Sequence, residues 1–453
     1  MIPGFTRVRL IAIGLAFLLA LPALLPAQSA PGADQAPQLN KKQQTEIIDS
    51  ICVALNEYYV FPDVAKQMEK HLRDRLKKGA YDTVSNAAEF GMILTDDMRE
   101  ICHDRHLGAH WFSDEQLAQM PLGDTLTDEE IQREIENGRR ANWNFEKLEH
   151  LPGNVGYMKF NQFADAEYAG GTAIAALSFL AYVDALIIDL RENGGGSPSM
   201  IQLISSYFFD ESVHLNSFYI RHEDTVKQFW TQSFVEGPRM ADVDIYVLTS
   251  SYTFSGAEEF SYNMKNLKRG TIIGETTGGG AHPVSTHVFP KLNFGVRVPF
   301  GRAINPISGT NWEGVGVEPD IKVPADQALD RALLEAYNKL LEKGGDPEAQ
   351  TEIQWAKETL DRKLNPITLD PALLQSYAGR YGPRTITFKD GALIYQREGN
   401  SPHKMIPFTN DTFWFDDIDY FRLQVVKNEA GEITHLLGIY RGGRTDISPK
   451  GDG

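Results

Sequence analysis

Three short strand-like runs restrict the fold more than any other feature of the sequence: residues 184–190, 245–249 and 271–274. The first two are apolar at most positions rather than at alternate ones, as expected of strands covered on both faces. Small residues follow each run: Gly194-Gly195-Gly196 the first, Ser255-Gly256 the second and Gly278-Gly279-Gly280 the third. Helical spacing fills the gaps, at about 198–209 and 256–267, and a strand at 155–160 with an Ala-rich helix at 164–180 stands in front. This alternation predicts βαβ units and a mostly parallel sheet, an α/β core. Open sheets of this kind gather their ligand-binding loops at the carboxyl ends of the strands.

The flanking regions differ in texture. From Lys41, residues Ile47, Ile48, Ile51, Val53, Leu55 and Tyr59 recur at helical spacing. Two further helices, from Val64 to Gly79 and about 86–102, complete an amino-terminal helical domain over 31–145. It carries the turn His103-Asp104-Arg105-His106. The core is expected over 146–345, with strand-like, turn-rich sequence at 284–323 and helices at about 326–343 and 350–363. Beyond Asn365-Pro366, short strands alternate with turns, among them the hairpin signal Asp390-Gly391. Residues 366–453 are read as a small all-β domain. A chain of 453 residues is long enough for several such units.

Charge narrows the function. A formal net charge of -17 repels phosphate backbones and argues against nucleic acid as a partner. Arg7 and Arg9 precede an apolar run at 10–25 and then Ala27, Ser29 and Ala30. That is the layout of a secretory signal peptide over 1–30, and the run is short for a membrane span. An exported protein, periplasmic or extracellular, without stable membrane insertion after signal cleavage is expected. Cys52 and Cys102 are too few for a cysteine-rich metal site or a disulfide framework. One bridge between them would suit an oxidising compartment, but their apolar, helical surroundings favour two buried thiols. No metal or organic cofactor is implied.

The candidate site centres on Thr249-Ser250-Ser251-Tyr252-Thr253-Phe254-Ser255-Gly256-Ala257-Glu258. A buried strand ends there and a short turn carries Ser255 to a helix start, among unpaired backbone N–H groups. Those donors suit an oxyanion formed when a hydroxyl attacks a carbonyl. The plainer role is helix capping, because Ser255 and Glu258 have capping-box spacing. The loops around Gly194-Gly195-Gly196 and Gly278-Gly279-Gly280 add two close-approach backbones. The first lacks the spacing and lysine of a phosphate loop. A serine nucleophile needs a base. His103, His106, His110, His282, His287 and Glu313 all lie near loop signals, and spacing does not choose among them.

The sequences DALIIDLRENGGG at 184–196, TSSYTFSGAEEF at 249–260, GETTGGG at 274–280 and GVGVEPDIKVP at 314–324 together resemble the carboxy-terminal processing (tail-specific) serine peptidase family. The helical segment 41–112 looks like the amino-terminal domain of the branch related to interphotoreceptor retinoid-binding protein. The resemblance implies a crotonase/ClpP-like core, a nucleophile at Ser255, oxyanion donors at Gly195 and Gly256, and a substrate-binding role for Gly194 and Gly279. It departs from the bacterial enzymes in lacking their lysine base after the serine and a PDZ domain. Lys265 and Lys268 lie too far along the helix to serve. The tricorn core proteases are similar in a different way: there a histidine from a preceding domain is the base. By that likeness His106 takes the Ser255 proton and Glu313 supports it, with His282 the nearest competitor. Arg105 stands where those enzymes have serine. Peptides or unfolded proteins are the implied partners, and the fold is compatible with an oligomer. The alternatives are a non-catalytic lipid-, retinoid- or peptide-binding protein and a crotonase-like thioester enzyme.

Overall fold

The computed structural model describes residues 36–119 and 128–451. The expected signal segment lies outside the described residues. Contacts divide the chain into two units, one of residues up to Glu149 with Gly156–Ala328 and one of His150–Val155 with Leu329–Gly453.

The first unit opens with α1 (Lys41–Tyr58), α2 (Pro62–Lys77) and α3 (Ala87–Cys102). Asn40 starts α1: its side chain accepts from the Gln43 N–H, and the Gln43 side chain accepts from the Asn40 N–H. The expected apolar face is buried through Ile47, Ile48, Ile51 and Leu55, whereas Val53 faces solvent. Cys52 and Cys102 are free thiols. After α3 come β1 (Gly108–Trp111), α4 (Asp114–Gln119) and α5 (Asp128–Arg140). The core continues with β2 (Phe145–Leu151), β3 (Val155–Phe160), α6 (Ala166–Phe179), β4 (Ala185–Asp189), α7 (Pro198–Ser206), β5 (His214–Ile220) and β6 (Thr225–Trp230). Then follow β7 (Asp244–Thr249), α8 (Gly256–Asn266), β8 (Gly270–Gly274), β9 (Val284–Phe289), β10 (Phe294–Pro299), β11 (Gly301–Ile304) and β12 (Ile321–Lys322).

Six strands form the central sheet in the order β12-β8-β7-β4-β3-β2. The pairs β4–β7, β7–β8 and β8–β12 are parallel, as the buried apolar runs predict. All five residues of β4 are buried. Two smaller antiparallel sheets complete the unit. One, β11-β5-β6, contains a hairpin that sequence patterning did not show. The other, β1-β10-β9, joins the helical segment to the core, with Gly108 opposite Arg297 and Trp111 opposite Phe294. Phe294, Val296 and Val298 of β10 pack in one hydrophobic cluster with α1, α2 and α3. The amino-terminal helices therefore share their core with the α/β region.

The second unit holds α9 (Ala328–Lys343), α10 (Pro347–Leu364) and an antiparallel sheet of eight strands from Gly379 to Pro449. From Leu329 onward α9 groups with this unit, although its sequence was counted with the core. Arg422 ties α10 to the sheet: its guanidinium lies 3.8 Å from the Trp355 ring and donates to Glu358 at 2.7 Å. The Asp390-Gly391 turn has φ of 52° and 78° and sets Lys389 opposite Ala392, the hairpin its sequence predicts.

Candidate active site

Ser255 sits where β7 has ended and α8 begins, at φ 53° and ψ -119°. A serine rarely adopts such a backbone, and holding it costs about 1–3 kcal/mol. The surroundings enforce it. Thr253 Oγ1 donates to the Leu190 carbonyl at 2.8 Å, and Phe254 N donates to the Asn193 carbonyl at 3.1 Å. Ser255 N itself donates to Glu258 Oε2 at 2.8 Å. Glu258 does more than cap the helix. Its carboxylate also accepts from Thr277 Oγ1, from Gly279 N at 2.7 Å and from Gly280 N at 2.8 Å. The third glycine loop is thereby tied to the elbow. Burial nonetheless raises the Glu258 pKa to about 7 against these four donors.

The first glycine loop closes on the same elbow. A Cβ on Gly195 would lie 2.6 Å from Gly256 N, and one on Gly256 would lie 2.9 Å from Gly196 N. Only glycine allows this approach. The loop's hydrogen bonds sort its donors. Gly194 N donates to the Asn161 carbonyl at 3.3 Å and Gly195 N to Asn193 Oδ1 at 2.9 Å. Gly279 N is already held by Glu258. Of the four glycines named from sequence, Gly256 alone keeps a backbone N–H without a partner among the described residues, and Gly196 provides a second. Both line one pocket with Ser255. Gly196 is one position beyond the glycine that the resemblance pointed to.

His106 enters from the turn after α3. Two bonds pin that turn: Arg99 donates to the Leu107 carbonyl at 2.8 Å and to the Arg105 carbonyl at 2.6 Å. The His106 ring lies 4.6 Å from the ring of Phe254, the residue before Ser255. A Cβ on Gly280 would come within 2.5 Å of His106 Cε1. The buried His106 Nδ1 has no hydrogen-bond partner among the described residues, and Asp104 Oδ1 is 3.8 Å from it. Burial lowers the His106 pKa to about 4 despite Asp104.

His282 lies on the other side of Asp104. Its Nδ1 is 2.6 Å from Asp104 Oδ2 and 3.5 Å from Glu313 Oε2. Burial acts to lower its pKa, but the bond to Asp104 and that carboxylate's charge raise it overall. Glu313 accepts from Ala281 N at 2.6 Å, while its other, buried oxygen has no partner among the described residues. Burial and the charge of Asp104 push Glu313 up to about 7. Trp312 fixes this loop by donating from Nε1 to the Gly280 carbonyl at 2.8 Å. The structure thus gathers His106, His282 and Glu313 around Asp104, a residue the sequence placed in the same turn without assigning it a role.

Ser255, Gly196, Gly256 and His282 share their pocket with Phe218, Ile220 and Phe229 of the unforeseen hairpin. Lys265 is engaged elsewhere, with Asp320 at 3.1 Å. Ligand atoms of Asp104, His282 and Glu313 lie within 4.8 Å of one another, as do those of His71, Asp97 and Glu100, so these are the groups with cation-binding geometry among the described residues. Among the described residues, no helix is long and apolar enough to cross a membrane.

Residues 154–323 match peptidase family S41, and residues 34–136 match the N-terminal domain of peptidase S41 in eukaryotic IRBP. The tricorn protease of Thermoplasma volcanium is 31% identical over 161 residues, covering 33% of this chain and 14% of that protein. The tail-specific protease of Haemophilus influenzae is 32% identical over 101 residues, covering 21% of this chain and 13% of that protein. The chain therefore spans about one seventh of the length of these two relatives. The solved photosystem II D1 C-terminal processing protease is similar at 15% identity and a TM-score of 0.39, over 63% of this chain and 94% of that one. The matched segment 154–323, which runs from β3 through the Ser255 elbow to β12, belongs to peptidase family S41.

Proposed function

We propose that this chain is an exported serine peptidase that hydrolyses peptide bonds through an acyl-enzyme on Ser255. The observation that carries the reading is the strained Ser255 elbow, which lines one pocket together with Gly196 and Gly256, the two glycines whose N–H groups have no partner among the described residues. In this mechanism neutral His106 takes the Ser255 proton as Oγ attacks the peptide carbonyl. The carbonyl oxygen becomes an oxyanion held by Gly196 N and Gly256 N. The intermediate collapses, the C–N bond breaks, and His106 returns the proton to the leaving amine. Water, deprotonated by the same imidazole, then releases the acyl group and regenerates Ser255. His106 suits the part of base because its depressed pKa leaves it neutral at neutral pH, whereas His282 is held towards its cationic form.

Apolar side chains of Phe218, Ile220, Phe229, Pro283 and Trp312 wall the pocket, which supports an unfolded peptide with an apolar side chain as substrate. Export rests on the residues of 1–30. Labelling with a fluorophosphonate followed by peptide mapping tests the assignment. Modification of Ser255 in the wild type, with loss of both labelling and peptide hydrolysis in a folded Ser255→Ala variant, is expected. A folded wild type that neither labels nor hydrolyses peptides would move the chain to the binding-protein reading. Amino-terminal sequencing of the secreted protein tests export, with a start near residue 31 expected.

A further inference from the structure

We propose that Asp104 is a positioning residue that joins the two imidazoles: it waits for the cation formed on His106 while His282, braced by Glu313, holds its other oxygen. The inference rests on the serine peptidase reading and adds to it two residues which that mechanism leaves idle.

Asp104 is only 1% exposed, and a carboxylate so buried must be compensated. The distances show how its oxygens are divided. Oδ1 accepts from the His106 backbone N–H at 2.9 Å and faces the unpartnered His106 Nδ1 at 3.8 Å. Oδ2 is 2.6 Å from His282 Nδ1. Burial would raise the Asp104 pKa, but His282 and His106 together bring it below the ordinary value. At rest Oδ2 is bonded to the His282 ring, while Oδ1, held by the His106 backbone N–H, makes no bond to the His106 ring.

Catalysis changes the Oδ1 side. When His106 takes the Ser255 proton on one ring nitrogen, its Nδ1 bears a proton too and the ring becomes a cation. A carboxylate oxygen lies 3.8 Å from that nitrogen, beyond hydrogen-bond reach, so a small ring movement closes the bond as the charge appears. The interaction is stronger in the transition state than at rest, which is the kind that accelerates the reaction. His282 tempers it. Bonded to the far oxygen, it keeps Asp104 from holding His106 protonated before substrate arrives. Other charges face the group as well: Arg297 and Arg99 act on His106, and Arg302 acts on His282. None of these arginines lies between the two rings in the chain of contacts just described.

The two partners of His106 should therefore shift its titration in opposite directions. Asp104→Asn removes the charge that awaits the imidazolium. We expect kcat to fall about a hundredfold, KM to change little, and the acid limb of kcat/KM to move to lower pH. His282→Gln leaves Asp104 uncompensated, so the acid limb should move to higher pH by about one unit, with a smaller loss of kcat. A merely structural role for both residues predicts losses without opposed shifts. Wild-type kcat in folded Asp104→Asn, or shifts of the same sign in both variants, overturns the proposal. If Asp104→Asn does not fold, a His282→Gln profile whose limb stays put or moves down does the same. Collapse in His282→Ala with near-normal activity in His106→Ala makes His282 the base, which overturns this arrangement while the serine peptidase reading stands. Failure of wild-type enzyme to label at Ser255 removes both together.

Discussion

Arg105 reaches from the helical segment to the third glycine loop, donating to the Gly278 carbonyl at 2.7 Å with its guanidinium 5.7 Å from the Phe254 ring. Its side chain locks the turn that carries His106 against the elbow loop. An exposed arginine bond of this kind contributes little to overall stability. Arg105→Ala should therefore lower kcat/KM about tenfold while moving the unfolding free energy by less than about 0.5 kcal/mol. Parallel kinetics and chemical denaturation check it. An equal loss of activity and stability would make Arg105 a structural tie instead.

Gly280 packs against both Phe254 and His106. A methyl group there would meet Phe254 Cζ at 2.3 Å and His106 Cε1 at 2.5 Å. Both neighbours are rings on anchored backbone, so the imidazole must move. Gly280→Ala should cost about a hundredfold in kcat, since displacement by about an ångström has effects of that size. Fluorophosphonate labelling should slow in step with turnover. Unchanged labelling kinetics would place His106 away from the Ser255 proton.

The acid limb of the pH profile should lie well below that of a free histidine. An unperturbed imidazole titrates near pH 6.5, and a base of that kind loses activity between about 6 and 7. Burial lowers His106 to about 4. Only the neutral ring accepts the proton, so activity is full above that value and is lost as pH falls through about 4. Hydrolysis of an uncharged peptide across pH, with folding monitored alongside, reads the limb directly. An inflection at 6.5 would point to a solvated base.

Glu259 gives a stability effect of opposite sense to the usual acid denaturation. Burial pushes its carboxyl up to about 8, against the lowering effect of the neighbouring Asn216 and Asn263 amides. A raised pKa means that the folded state prefers the protonated form. The contribution is whole below the ordinary carboxylate pKa of 4.5 and is lost as pH rises through about 8. Glutamine mimics the protonated acid. Glu259→Gln should match the wild type in Tm at pH 5 and exceed it by several degrees at pH 9. A gap that is widest at low pH would contradict this sign.

The sequence made the core readable because β4 and β7 are covered on both faces and announce themselves as apolar runs. Ser255 and Gly256 were readable for the same reason: the end of a buried strand fixes where an elbow must fall. The β5–β6 hairpin was not. Its second strand, Thr225–Trp230, is mostly exposed and has no apolar alternation to betray it. The first glycine loop shows another limit. Gly194, Gly195 and Gly196 look alike in sequence, and only the bonds from Gly194 and Gly195 to Asn161 and Asn193 single out Gly196.

The pairing of Asp104 with His282 spans 178 positions, so no local period could reveal it. The clue at hand was the acid two residues before His106, whose significance depends on what the distant glycine loop brings to it. Glu258 shows the reverse case. Its capping-box spacing was plain, yet its tie to Gly279 and Gly280 becomes visible only when the third loop is folded against α8.

The β1–β10 ladder also sets the order in which the site is completed during synthesis. His106 leaves the ribosome long before Ser255, and the strand that docks its segment, Phe294–Pro299, leaves later still. A nascent chain holding both residues but not that strand lacks the ladder that joins the His106 segment to the core, so the site can be completed only after Pro299 has emerged.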